Sequence, residues 1–281
     1  MYSELNLDLQ AFAKRVYDSI LYQSTFYNFL NMAYIGTLRQ TGAPVIEVAK
    51  TNTLSVNVRE TKEIQSGLTP SLVTYGHTMV DLTELNMDYS IRVPLMITGS
   101  DITNAVQDAA DLQDSAIAKQ IDTYGYGKLA STSMDEFEWD PSTQQDYINN
   151  LNALRAKLFN KDVTGDYRLG LGAVEYGNLV SALTSVIKFE NIEVNRGLTL
   201  GEFARVYGIN VFEINDNVLD DVKGYFFNPI AVVGDTFFSA FIQHNSPQGY
   251  PGYYVLEGTQ SFGAAVVRPE AIVRLVEEVS A

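Results

Sequence analysis

The 281-residue sequence contains no cysteine, which excludes disulfides, thiolate catalysis and cysteine–zinc sites. Histidine is almost as scarce. His77 and His244 are the only two, and no HxxH or HExxH spacing starts a metal site. Basic residues are also few: 19 Lys and Arg stand against 34 Asp and Glu, a formal net charge of −15. Such a surface repels phosphate within a Debye length and has no basic stripe to release counterions, which argues against direct reading of DNA. Enclosing DNA is a different matter, because a container needs no affinity for its contents. No apolar run reaches the roughly eighteen residues of a transmembrane helix. Glu4, Asp8, Lys14 and Arg15 interrupt the apolar residues of the N-terminus, so it does not read as a secretory signal. Neither GxxxxGK[ST] nor GxSxG occurs.

What is present begins with a change of period. From Met87 to Ile97 every second residue is apolar: Met87, Tyr89, Ile91, Val93, Leu95 and Ile97. This is a strand with one buried face. From Ser100 to about Ala130 the spacing becomes helical, through Ile102, Val106, Ala109, Leu112, Ala116, Ile121 and Tyr124. A helix of roughly 30 residues is about 45 Å long, more than twice the usual length. It is a girder, suited to building and not to cradling a substrate.

Upstream, residues 8 to 32 show helical spacing and then become dense in aromatics: Tyr17, Tyr22, Phe26, Tyr27 and Phe29. These need a covering surface, either the chain's own core or a neighbouring subunit. Strand signals at Val45–Val48 and Leu54–Val58 lead into a polar excursion from Arg59 to Tyr75 that returns through Val80, Leu82 and the Met87–Ile97 strand. The pattern is a long β-hairpin, and two strands alone are marginal in water, so it is expected to rest outside its own domain. Downstream, Asp140-Pro141 reads as a helix start. Leu169–Val174, Gly208–Ile214, Tyr225–Phe227 and Ala231–Val233 read as strands, Glu175–Ile187 as a helix, and His244–Gly252 as a turn cluster. Two more strands are expected over Tyr253–Val276. Strands and helices mix without a βαβ rhythm, which places the chain in the α+β class.

Candidate chemistry is thin. Gly170-Leu171-Gly172-Ala173-Val174-Glu175 starts like a dinucleotide fingerprint, but a carboxylate stands where the third glycine belongs. Glycines at a strand–helix turn are the simpler reading. Asp135, Glu136, Glu138 and Asp140 flank the only tryptophan, Trp139. They could supply paired carboxylates for glycoside hydrolysis. They lack the DxDxDG calcium spacing and also suit a solvated face that complements a helix dipole.

In their order along the chain these parts resemble the major capsid proteins of tailed bacteriophages, a fold shared with herpesvirus floor domains and encapsulins. The resemblance runs through the aromatic N-terminal segment, the hairpin and the long helix containing Ala116-Ile117-Ala118-Lys119-Gln120-Ile121-Asp122. It continues through Leu200–Asn215, with Gly208-Ile209-Asn210-Val211-Phe212-Glu213-Ile214-Asn215 at its end, and through Phe262-Gly263-Ala264-Ala265-Val266-Val267-Arg268-Pro269. It implies an N-terminal arm and linker over residues 1–50, an extended hairpin loop over 51–98, and a spine helix with peripheral domain over 99–149. An axial domain would cover 150–250, with C-terminal strands of the peripheral domain over 251–281. It also implies hexamers and pentamers in an icosahedral shell around double-stranded DNA, without a cofactor, metal or catalytic residue. Expected partners are the chain itself, a separate scaffolding protein, a portal and decoration proteins, with no membrane. The expected location is the virion, after synthesis in the host bacterial cytoplasm.

Intersubunit contacts are expected at Tyr22, Phe26, Tyr27, Phe29, Lys62, Gln65, Leu68 and Tyr75. Two family traits are expected to be missing. The arm begins at once, so no N-terminal segment should be cleaved. Lys62 could serve a lysine–asparagine crosslink, but no partner asparagine is evident and none is expected to form. An encapsulin-like compartment, another virion part and an acidic soluble enzyme remain as alternative readings.

Overall fold

The computed structural model describes residues 9–31, 33, 45–51, 75–94, 100–183, 202–206, 208–238, 242–245 and 252–277. Helix α1 (Leu9–Gln23) buries Phe12, Val16 and Ile20, about one residue per turn along a single stripe. It passes through Ser24 into a short 3-10 turn, Thr25–Phe29, in which Phe26, Tyr27 and Phe29 are all buried. Strands β1 (Val45–Thr51) and β2 (Tyr75–Asp81) then pair antiparallel from Val45↔Asp81 to Thr51↔Tyr75. This ribbon is the base of the expected hairpin, and it starts upstream of residue 51. The second strand signal, Leu54–Val58, and the hairpin tip lie outside the described residues.

Strand β3 (Leu85–Pro94) is not part of the ribbon. It alternates as the sequence requires, with Met87, Tyr89, Ile91 and Val93 inside and Asp88, Ser90, Arg92 and Pro94 outside. Helix α2 (Ser100–Ser131) follows with 32 residues, about 48 Å at the helical rise. It packs against α1 and β3. A short strand, β4 (Asp135–Glu138), lies where the sequence shows only an acidic cluster. Helix α3 (Gln144–Phe159) begins later than Asp140-Pro141 because Thr143 and Asp146 form a reciprocal cap. The Thr143 N–H donates to Asp146 Oδ2 at 2.8 Å, and the Asp146 N–H donates to Thr143 Oγ1 at 3.3 Å. Two orphan donors satisfied together outweigh a single aspartate cap.

The remaining elements are β5 (Tyr167–Gly172), α4 (Ala173–Leu183), β6 (Glu202–Val206), β7 (Ile209–Ile214), β8 (Gly224–Phe227), β9 (Val232–Phe238), β10 (Ile242–Asn245), β11 (Tyr253–Val266) and β12 (Ile272–Val276). They complete two larger sheets. One has four strands: β11 is flanked by β3 and β10, and its C-terminal half also pairs with β9. The other has six strands in the order β4-β12-β8-β5-β7-β6, with parallel pairs β12–β4 and β5–β7. These pairings cut across the segment boundaries drawn from the sequence. β9 and β10 fall within 150–250 yet join β11, while β12 falls within 251–281 yet sits inside the six-stranded sheet.

One hydrophobic core runs through both sheets, α1 and α2. A smaller cluster lies beneath the ribbon, where Ile46, Val48, Val80 and Leu82 meet Val233 and Val267. The ribbon crosses the four-stranded sheet at Gly263. A Cβ there would stand 2.6 Å from Leu82 Cα and still closer to the Asp81 carbonyl. The base of the hairpin therefore rests on later segments of the same chain, around Val233, Gly263 and Val267.

Candidate functional site

The constellations that could carry chemistry are dispersed by the fold. His77 is in β2 and His244 in β10, two different sheets, so His244 is not part of a turn. Two of the four acids of the cluster, Asp135 and Glu136, are committed to ion pairs. Lys161 Nζ stands 2.6 Å from Asp135, with Lys157 at 3.7 Å, and Arg274 is 3.6 Å from Glu136. The Lys161 ammonium holds the Asp135 carboxyl below the ordinary carboxylate range. Trp139 between them is buried edge-on to Tyr147. Gly170 lies inside β5, where a Cβ would come within 2.8 Å of the Phe212 ring, and Gly172 ends that strand just before α4. Both glycines are explained by close packing. Among the described residues no group of three or more His, Asp or Glu is placed to hold a metal ion, and no helix is long and apolar enough to cross a membrane.

What the fold does assemble is a junction between the N-terminal segment and the long helix. Ser24, the residue before the 3-10 turn, makes no cap bond of its own to it. Asp122, in the middle of α2, supplies that function from across the interface. Its Oδ1 accepts from Ser24 Oγ at 2.5 Å and from the Phe26 N–H at 2.9 Å; its Oδ2 accepts from the Thr25 N–H at 3.2 Å and Oγ1 at 3.0 Å. Burial raises the Asp122 pKa, and these hydrogen bonds oppose the rise only in part. Three residues further along, α2 carries a glycine, and the Phe26 ring lies flat in the space a side chain would fill. A Cβ on Gly125 would fall within 2.5 Å of Phe26 Cδ2.

From this anchor the aromatic residues reach both sheets. Phe29 stacks on Phe227 of the six-stranded sheet at 3.9 Å and 13°, and stands edge-on to Phe212, Tyr225 and Tyr126. Phe26 and Tyr27 stand edge-on to Phe262 of the four-stranded sheet. Tyr27 also exchanges a hydroxyl hydrogen bond with Thr236, and the Tyr17 hydroxyl donates to Asp235 at 2.9 Å. The 3-10 turn is thus the wedge where the girder and both sheets meet.

This placement corrects part of the expected contact set. Phe26, Tyr27 and Phe29 are 0%, 5% and 0% exposed. The chain's own core, and not a neighbour, covers their side chains. Tyr22 is 58% exposed at the end of α1 and keeps its place as a candidate contact. Tyr75 is the first residue of β2, opposite Thr51. Lys62, Gln65 and Leu68 lie outside the described residues. Asp122 and Gly125 were not singled out by sequence reasoning. The available signal was a pair of glycines, Tyr124-Gly125-Tyr126-Gly127, inside an otherwise strong helix.

Several of the described basic residues pair within the chain. Arg15 pairs with Asp111, Lys128 with Glu84, Arg168 with Asp166, and Lys223 with Glu175 and Glu277.

A long helix, a two-stranded ribbon and two interleaved sheets form the fold of tailed-phage capsid proteins. The chain is similar to a solved chain of Mycobacterium phage Che8, at 18% identity and a TM-score of 0.60, over 92% of this chain and 93% of that one. The cyanophage P-SCSP1u capsid gives 13% identity and a TM-score of 0.59, over 85% and 84%. A virus-like particle from Pyrococcus furiosus gives 12% identity and a TM-score of 0.52, over 93% and 96%. No family model and no curated protein sequence matches the chain.

Proposed function

We propose that this chain is a major capsid protein. It self-assembles as hexamers and pentamers into an icosahedral shell that encloses phage double-stranded DNA. The observation that carries this reading is the end-to-end likeness to phage capsid chains, with nearly all of both partners superposed. The arrangement of elements supports it: a long helix and two sheets that share one core, with a two-stranded ribbon packed on them. Its role is structural. Contacts between subunits that are each weak become strong in a closed lattice, because every bond after the first is intramolecular. The acidic surface suits a container wall screened by counterions. The reading places the protein in the virion and implies scaffolding, portal and decoration proteins as partners.

A protein compartment holding something other than a genome is the second reading, favoured by the likeness to the Pyrococcus furiosus particle. Nuclease treatment of particles from infected cells, followed by an ultraviolet absorption ratio, separates the two. Nuclease-protected double-stranded DNA supports the phage shell. Protein-only particles with a co-purifying cargo enzyme support the compartment.

A further inference from the structure

Asp114 lies on the buried side of α2, only 1% exposed, where α1, α2 and β3 meet. Its Oδ1 has no close hydrogen-bond partner, while the Ser19 hydroxyl from α1 and the Tyr89 hydroxyl from β3 hydrogen-bond the carboxyl. A buried carboxylate with an unsatisfied oxygen opposes the packing around it when ionised, and much less when protonated. The chargeable groups facing it come from all three elements. Arg15 reaches it from α1, Asp111 from its own helix, and Tyr89 from β3, with the uncharged Ser19 hydroxyl beside it on α1. Arg15 cannot neutralise it fully, because its guanidinium is engaged with Asp111 on the outer rim of the same interface. Tyr89 is itself held against α1 by an edge-on contact with Phe12, at 6.0 Å and 78°.

We propose that Asp114 is a proton-operated latch between α1 and the long helix, tightening the docking of α1 when protonated and loosening it when ionised. Burial, the largest cause, raises its pKa to about 6, with the Ser19 hydrogen bond opposing. With α1 lifted away, the group returns to the ordinary aspartate value of about 3.9. The docked state therefore takes up the proton first. The stabilisation is fully present below about pH 4 and is lost as pH rises through about 6. Asp122, on the same side of the helix, holds the 3-10 turn and not α1, and its four hydrogen bonds make it a poor latch. The latch is a property of the folded chain and does not depend on the capsid reading.

The test is hydrogen exchange of the α1 amides in the full-length protein between about pH 5 and pH 7.5, corrected for the intrinsic pH dependence of exchange. The α1 opening equilibrium should rise about tenfold across this range. Asp114→Asn, which cannot ionise, should abolish that rise, and Asp114→Ser should do the same if the amide packs badly. Asp111→Asn, which removes a like charge and frees the Arg15 guanidinium to pair with Asp114, should shrink the rise. A flat profile in the wild-type chain, or a tenfold rise that survives both Asp114 substitutions, overturns the proposal.

Discussion

The two glycines near the C-terminal end of α2 give the sharpest residue-level test, because a helix interior disfavours both by about 1 kcal/mol relative to alanine. The space beside Gly125 is occupied by the Phe26 ring, whereas a Cβ added at Gly127 would meet nothing within 4 Å. Gly127→Ala should therefore stabilise the chain by up to about 1 kcal/mol. Gly125→Ala should destabilise it by about 1–3 kcal/mol, since overpacking displaces Phe26 from a filled core. Urea unfolding of the two variants decides this, and equal shifts of the same sign would remove the wedge argument. Gln260 is a second case. It is 0% exposed and neither side-chain polar atom has a partner. Gln260→Met keeps the volume roughly constant, removes the unsatisfied groups, and should raise stability by about 1–3 kcal/mol. A loss of stability in the same unfolding assay would mean that an ordered water satisfies the glutamine.

At the scale of elements, the long helix and the alternating strand before it could be read directly from the sequence, because each buries one face at a fixed period. The aromatic segment was legible as needing cover, but not what covers it. Phe26 and Phe29 meet partners such as Phe262 and Phe227, residues remote in sequence that only the topology brings together. Strand β4 was hidden for a related reason. Its acids read as solvated, yet Lys157, Lys161 and Arg274 pair with them along the sheet edge. Removing residues 1–30 should now strip the core and yield insoluble chain, because three buried aromatic side chains contribute roughly 1.5–3 kcal/mol each. Soluble, folded capsomers from that truncation would contradict the wedge. The hairpin tip should behave in the opposite way, since the base of the ribbon carries its own cluster. Reversing Lys62 to glutamate and deleting Gly67–Thr69 should leave thermal unfolding within about 1 kcal/mol of wild type while shell formation fails. Normal shells from both changes would remove the tip from the contact set.

At the scale of the whole molecule, the α+β class and the order of parts followed from the sequence, whereas the interleaving of its segments between two sheets did not. A segment boundary is a statement about order along the chain. Strand pairing is a statement about space, and β12 returns to the six-stranded sheet after β11 has completed the other. One continuous core runs across both sheets, with the wedge of Phe26 and Phe29 within it. The proposed capsid role makes copies of this chain its principal partners. Electron microscopy of the purified full-length chain, alone and co-expressed with a candidate scaffolding protein, tests this most directly. Closed shells with fivefold and sixfold capsomers, or flat hexagonal sheets, are the expected result. A chain that stays monomeric or dimeric at high concentration under both conditions would contradict it.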